Sequence, residues 1–445
     1  MTSTAPVSTV AEIDLQHHWH PYTDMAAYPA DQFVAVAGDG PYLIDDAGDR
    51  YLDAISGLWN MQLGHGRSEL IDAARRQLET LAYTPLNGRT HEPAAQLAQR
   101  LSGLTDGDLN RVFFATGGAE AVETAIKMVR QYWQHVGRPR RYKIVGMEGG
   151  WHGCTLGALG VSGVPEEKVP FEPLAPGFVR FLPPEGALNG TAPAGTVAAA
   201  LERVLAQEDP ETVGAVFAEP VLGLAGMIAP DPSYWREIQS VCDRHGLLFV
   251  ADEVAMGFGR TGRMFSFQHY DLRPDLVTCA KGITAGYLPL SAVLVSDRVF
   301  KPFSLPGRAF SHGYTWGGHP VACAVALATL DVIESERLCE RAGELGDRLR
   351  RRLLAGLSDL ASLVEVRSLG LALAVQLDPD RCPPGPGTVA ARICRVLRQD
   401  HHVLARPVGA GDAVPLLPPL TLTDEVADQM ADAYVDAIRK VVLPS

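Results

Sequence analysis

Four short stretches of this 445-residue chain end in side chains that could do chemistry together. The apolar run LLFVAD closes on Asp252, LVTCA leads into Lys281, VFFAT opens into Gly117-Gly118-Ala119, and AVFAEP carries Glu219. An amine such as Lys281 can condense with a carbonyl, and a carboxylate such as Asp252 can keep a ring nitrogen charged. The Gly117-Gly118-Ala119 turn opens a helical pattern, where unpaired N–H groups and the helix dipole favour a phosphate dianion. Trp151, in GGWHG beside His152, offers a flat surface to an aromatic ring. Amine, acid, anion cradle and ring cover are together what pyridoxal 5′-phosphate (PLP) demands of a protein. Singly they mean less: an Asp at a strand end is commonly an N-cap, a Gly pair a tight turn, and a Lys a solvated charge.

These residues need elements to hold them in register. From about Val112, short apolar runs bounded by Gly or Pro alternate with helical patterns, which predicts an α/β fold with a mainly parallel sheet. The expected strands are residues 112–116, 142–147, 215–220, 247–252, 276–280 and 291–296, with helices over 119–136 and from Thr196 to Ala206. In such a sheet ligands bind at the carboxyl ends of the strands, where Asp252, Glu219, Lys281 and the Gly turn all fall. The Pro- and Gly-rich stretch 162–195 reads as a surface connection. Three units are expected: an N-terminal segment (1–75) with a strand pair around Asp46 to Gly48, a large domain (76–325), and a smaller α+β domain (326–445) against which the N-terminal segment packs. The small domain should contain a helix after Pro320, a strand pair in VEVRSLGLALAVQLD and a closing helix from Asp424 to Val442.

Composition narrows the partners. At 47% hydrophobic and 20% charged, the chain is of ordinary globular type. Its net charge of −13, from 52 acidic against 39 basic residues, leaves no basic face for nucleic acid. Seven scattered cysteines without a CxxC pair argue against a disulfide framework or a zinc ribbon and point to a cytoplasmic protein. The opening MTSTAPVSTVAEID lacks the basic and apolar regions of a signal peptide, and no run approaches the ~20 apolar residues of a membrane helix.

The run LFVADEVAMGFGRTGRMFSFQHYDLRPDLVTCAKGITAGYLPLSAVLVSD resembles the signature of the class III aminotransferases, fold type I PLP enzymes with a seven-stranded large domain. The resemblance extends from WHPYTDM through ISGLWNMQLGHG, GGAEAVETAIK, GGWHG, AEPVLGLAGM and SHGYTWGGHPVACA to RPVGAGDAVPLLPPLTLT. It implies that Lys281 carries the cofactor and shuttles the proton, and that Asp252 pairs with the pyridine nitrogen with Glu219 close behind it. Gly117, Gly118 and Ala119 would hold the phosphate, Trp151 would stack on the ring, and His152 and Val254 would complete the cofactor contacts. Thr315 would reach the phosphate bound in a neighbouring subunit, which implies a homodimer with shared sites. Arg406 would meet a substrate carboxylate as a bidentate fork; a surface salt bridge is the plainer reading of the same residue. Tyr22 and Trp59 resemble aromatics of the substrate pocket, and core packing is their plainer reading.

Three departures matter. Ala119 replaces the usual Ser or Thr and removes one hydroxyl donor to the phosphate. Trp151 stands for Tyr or Phe and keeps the stacking area. Leu224 stands where ornithine and 4-aminobutyrate aminotransferases carry a gating glutamate, so the ω-amino acid:pyruvate aminotransferases are the nearer likeness, and WHPYT also resembles diaminopelargonate aminotransferase. The implied activity is ping-pong transamination between an amino donor and a keto or aldehyde acceptor. Two alternatives stay open: other PLP chemistry on the same scaffold, including reactions of S-adenosylmethionine, and a non-catalytic regulator, for which the added DNA-binding module is missing.

Overall fold

Strands buried on both faces read as unbroken apolar runs, and those runs form the centre of the molecule. The computed structural model describes residues 9–105 and 108–443. One sheet contains β1 (Arg111–Ala115), β2 (Lys143–Met147), β3 (Phe178–Phe181), β4 (Val213–Ala218), β5 (Leu248–Asp252), β6 (Leu276–Cys279) and β7 (Ser291–Val295). Their order is β1-β7-β6-β5-β4-β2-β3, and only β7 runs against its neighbours. Every residue of β4, β5, β6 and β7 is buried, each large aliphatic among them contributing about 1.5–3 kcal/mol on transfer from water. On one face, helix Gly118–His135 lays Val122, Ile126, Val129 and Trp133 against Ile144, Phe217, Val250 and Val293. On the other, helices Thr196–Glu208 and Pro232–His245 bring Leu201, Leu205, Trp235 and Ile238 into the core shared with Val216 and Phe249.

All six strands expected from the sequence are present, and β3 is the one the sequence reading passed over. It lies inside 162–195, where only a surface connection was expected, and pairs parallel with β2 from Ile144↔Phe178 to Met147↔Phe181. FVRF is four residues long, begins after Gly177 and exposes Arg180, so an edge strand of this kind leaves little periodic signal.

Around Asp46 to Gly48 the chain turns between strands Tyr42–Asp45 and Arg50–Asp53. The latter pairs parallel with Val403–Leu404, far along the chain. Strands Val364–Leu369, Ala372–Leu377 and Ala413–Leu416 make a third, antiparallel sheet, and the closing helix spans Asp424–Val442 as expected. The positions 75/76 and 325/326 fall inside helices Ser68–Thr80 and Pro320–Ser335. All seven cysteines are unpaired. Among the described residues no helix is long and apolar enough to cross a membrane; the first eight residues of the opening segment lie outside them.

Candidate active site

Because β1, β2, β4, β5 and β6 run the same way, their carboxyl ends deliver one residue group each to a single edge of the sheet. Asp252, the last residue of β5, is 3% exposed and tied on both oxygens. Oδ1 accepts from Val254 N at 3.0 Å and from Thr278 Oγ1 at 3.1 Å, while Oδ2 lies 2.6 Å from His152 Nδ1. The buried His152 Nε2 has no hydrogen-bond partner. The imidazole is wedged edge-on against Phe217 at 4.8 Å. His152 and Thr278 thus fix the direction in which the Asp252 charge is presented.

Lys281 begins the turn after β6 with a left-handed backbone, φ 44°. Its side chain is half-buried, and its Nζ stands 4.9 Å from the centre of the Trp59 ring. No hydrogen bond or ion pair joins this amine to any described residue, so it is free to make a covalent bond. Burial holds the ammonium below the usual lysine range, opposed by Glu219 and Asp252 and reinforced by Arg406. A larger neutral fraction makes a better nucleophile and base at neutral pH.

Glu219 follows β4 and does something the sequence reading did not anticipate. Rather than bonding to Asp252, its Oε1 accepts from Trp151 N at 2.7 Å and its Oε2 from Gly223 N at 3.2 Å. Burial pushes this acid up to about 7, with His152 pulling it down and Asp252 pushing it up. One carboxyl therefore holds both the loop that presents Trp151 and the hairpin Leu222 to Ile228. The hairpin tip is fixed again from the far side, where Gly409 N donates to Leu224 O at 2.9 Å and Arg367 Nη1 donates to Gly226 O at 3.4 Å. Gly223 packs closely, since a Cβ there would lie 3.0 Å from the Trp59 ring and 3.1 Å from Met256 Cε and would press on both.

The Gly117-Gly118-Ala119 turn opens a helix, with an acid of that helix folded back on its start. Gly117 caps helix Gly118–His135, with Thr116 N, Thr116 Oγ1 and Gly117 N all donating to Glu120 Oε2 and Ser291 Oγ donating to Gly117 O. A Cβ on Gly118 would come within 2.7 Å of Val254 Cγ1, so only glycine lets the backbone run this close to β5. The Ala119 methyl faces Gly153, where an added Cβ would sit 2.6 Å away. Thr315 is not in this group: it lies exposed on the surface, with only its carbonyl engaged, by Tyr83 OH at 2.7 Å. An amine without a partner, a directed buried acid and a helix start whose Gly117 N–H is taken by Glu120 while Gly118 and Ala119 follow it are a donor set that suits PLP.

The three residues expected to meet substrate differ in setting. Trp59 is 7% exposed, with φ 64° and an indole N–H that has no partner, packed in a cluster with Val221, Met227 and Met256. It is core and lysine neighbour at once, so its two readings are not exclusive. Arg406 is exposed and has no ion pair among the described residues. Tyr22 is also exposed, close enough to Cys154 and Arg406 that both act on its phenol, which partial burial pushes up.

Thr278 and Glu253 escaped the sequence reading. Thr278 is marked only by facing Asp252 across β6. Glu253 follows Asp252 and points the other way, as successive strand residues do. It is fully buried, accepts at Oε1 from Ser266 Oγ and Phe267 N, both at 2.7 Å, and leaves Oε2 without a partner. Burial pushes it up to about 7 from an ordinary 4.5. The folded state thus holds this proton more tightly, so its contribution to stability is complete below pH 4.5 and is lost as pH rises through 7. Denaturant titrations should show wild type losing about 3 kcal/mol more than Glu253→Gln between pH 4.5 and 8. Equal losses would mean that Glu253 ionises normally; Glu219, present in both proteins, cancels.

Comparison with known proteins gives one consistent likeness. The family model described as aminotransferase class-III matches residues 25–438. The adenosylmethionine-8-amino-7-oxononanoate aminotransferase of Geobacter sulfurreducens is 36% identical over 449 residues, covering 97% of this chain and 98% of the relative. The β-alanine–pyruvate aminotransferase of Pseudomonas aeruginosa is 34% identical over 446 residues, covering 98% of each. Among solved structures, the PLP-bound amine transaminase of an uncultivated Pseudomonas species superposes with a TM-score of 0.89 at 38% identity, over 96% of this chain and 99% of its own.

Proposed function

This chain belongs to the class III aminotransferases, and we propose that its substrates are ω-amino acids or small amines paired with an acceptor that bears a carboxylate. It is a PLP-dependent enzyme that moves an amino group from donor to keto or aldehyde acceptor in two half-reactions. In this reading Lys281 is the covalent carrier and Asp252 the partner of the ring nitrogen. Gly117, Gly118 and Ala119 hold the phosphate, Trp151 and Val254 flank the ring, His152 orients Asp252, and Glu219 fixes the Trp151 loop. Bound PLP supplies the electron sink that makes the C–H bond beside the substrate nitrogen acidic. The protein's own part is then short. Asp252, charged and buried, keeps the ring nitrogen protonated; Lys281 Nζ takes the proton from the substrate carbon and returns it. Trp59 and the hairpin tip at Leu224 shield that exchange from water.

The observation that carries the substrate reading is Arg406: an exposed guanidinium without a salt bridge, close enough to act on both the Lys281 amine and the Tyr22 phenol. Arg406→Ala should raise KM for a carboxylate acceptor such as pyruvate by about 10- to 100-fold, the loss of charge-assisted hydrogen bonds of about 1.5–3 kcal/mol, and leave KM for an uncharged amine donor nearly unchanged. Equal changes for both would remove Arg406 from the carboxylate site. A donor panel of L-alanine, β-alanine, diamines and S-adenosylmethionine, read by cofactor absorbance and product mass, tests the substrate class. Turnover confined to S-adenosylmethionine would replace it.

The same reading makes the protein a cytoplasmic homodimer with shared sites and two domains, 76–325 and 326–445, with residues 1–75 against the smaller. Support comes from the exposed aromatics Trp19, Tyr22 and Trp316, at 86%, 73% and 57%, with Thr315 beside Trp316. Mass by light scattering checks the dimer.

A further inference from the structure

Away from the cleft, the N-terminal segment gathers side chains that the transamination site does not use. Helix Val10–His17 starts at a reciprocal cap, Thr9 Oγ1 accepting from Glu12 N and Glu12 Oε2 from Thr9 N. On its last turn stands Asp14. His18 Nδ1 lies 3.0 Å from Asp14 Oδ1, and His20 Nε2 lies 3.0 Å from Oδ1 and 2.9 Å from Oδ2. Tyr28 OH and Gln32 Nε2 donate to Oδ2 at 2.9 and 3.1 Å. Tyr28 and Gln32 hold Oδ2, His18 faces Oδ1, and His20 Nε2 lies within reach of both oxygens.

We propose that Asp14 Oδ1, His18 Nδ1 and His20 Nε2 form a binding site for one divalent transition-metal ion of the zinc type, completed by solvent. One donor atom from each of the three residues can be chosen so that all lie within 4.8 Å of one another. Metal–ligand bonds of about 2.0–2.1 Å set neighbouring donors roughly 3 Å apart, which is the separation both nitrogens keep from Oδ1. Two imidazoles and one carboxylate are a ligand set for zinc, nickel or copper rather than calcium or magnesium. Neutral imidazoles bind through one nitrogen and keep the proton on the other, so occupancy needs only a change of tautomer. Tyr28 and Gln32 on the remaining oxygen are the kind of partners that orient a ligating carboxylate. The His18 side chain is 60% exposed, which leaves the outer coordination positions open to water.

An ion here would stitch the helix to the following strand of chain, two residues before Tyr22 at the cleft mouth. The test is isothermal titration of chelator-treated holoenzyme with Zn²⁺ alone, repeated with Co²⁺ for its visible ligand-field bands. One ion per chain with micromolar or tighter affinity is expected. His18→Ala, an exposed substitution, and His20→Ala should each abolish the saturable step and the cobalt bands, and Tyr28→Phe should weaken binding about tenfold. No saturable uptake by wild type, or uptake unchanged in both histidine variants, would overturn the site.

Discussion

Lys281→Ala is expected to reduce turnover to background, a fall of at least about 10⁴-fold, the upper end of what positioned proton transfer contributes. Nothing else on the carboxyl edge of the sheet can take over. Among the described residues it is the one lysine in the cleft, half-buried, without a hydrogen bond, and 4.9 Å from the Trp59 ring centre. The substitution should also remove the site of covalent attachment. Borohydride reduction followed by peptide mapping should find a pyridoxyl adduct on the Lys281 peptide of wild type and none in the variant. An adduct on another lysine, or turnover within tenfold of wild type, would refute the assignment.

Asp252→Asn should cost about 10²- to 10³-fold in kcat/KM for both half-reactions while the fold and most of the bound cofactor survive. Removing one member of a buried charge pair costs about 3–5 kcal/mol, and the pair at issue is the carboxylate with a protonated ring nitrogen. Asparagine keeps the shape and can still accept from Val254 N and Thr278 Oγ1, with its NH₂ turned to His152 Nδ1. With that NH₂ opposite it His152 Nδ1 would accept, and its unpartnered Nε2 can carry the ring proton. The damage is thus confined to charge. Stopped-flow absorbance of each half-reaction measures it, and equal rates in variant and wild type would show that the ring nitrogen does not depend on Asp252.

What the sequence made legible follows from how each signal is encoded. Strands β4 to β7 are buried on both faces and announce themselves as apolar runs; β3, at the sheet edge with Arg180 in water, does not. Lys281, Asp252 and the Gly117-Gly118 turn stand out only in combination, because each residue type is ordinary at a strand end by itself. Glu219 was readable as a residue but not as a device, because its partners are backbone N–H groups of Trp151 and Gly223, which no side-chain identity marks. Glu253 was passed over beside Asp252, since only the structure reveals which of two adjacent acids turns toward the cleft. The Asp14, His18 and His20 grouping needs the chain to bend at the end of a helix, and sequence patterns do not fix that bend.

The shared grip of Glu219 ties two properties that are usually thought of separately. Any substitution that moves residues 223–226 to admit a bulkier amine also pulls on the arm that seats the indole. Remodelling of this pocket is therefore paired with altered coenzyme retention, and variants selected for broader scope should shed coenzyme faster during dialysis than those altered at Arg406.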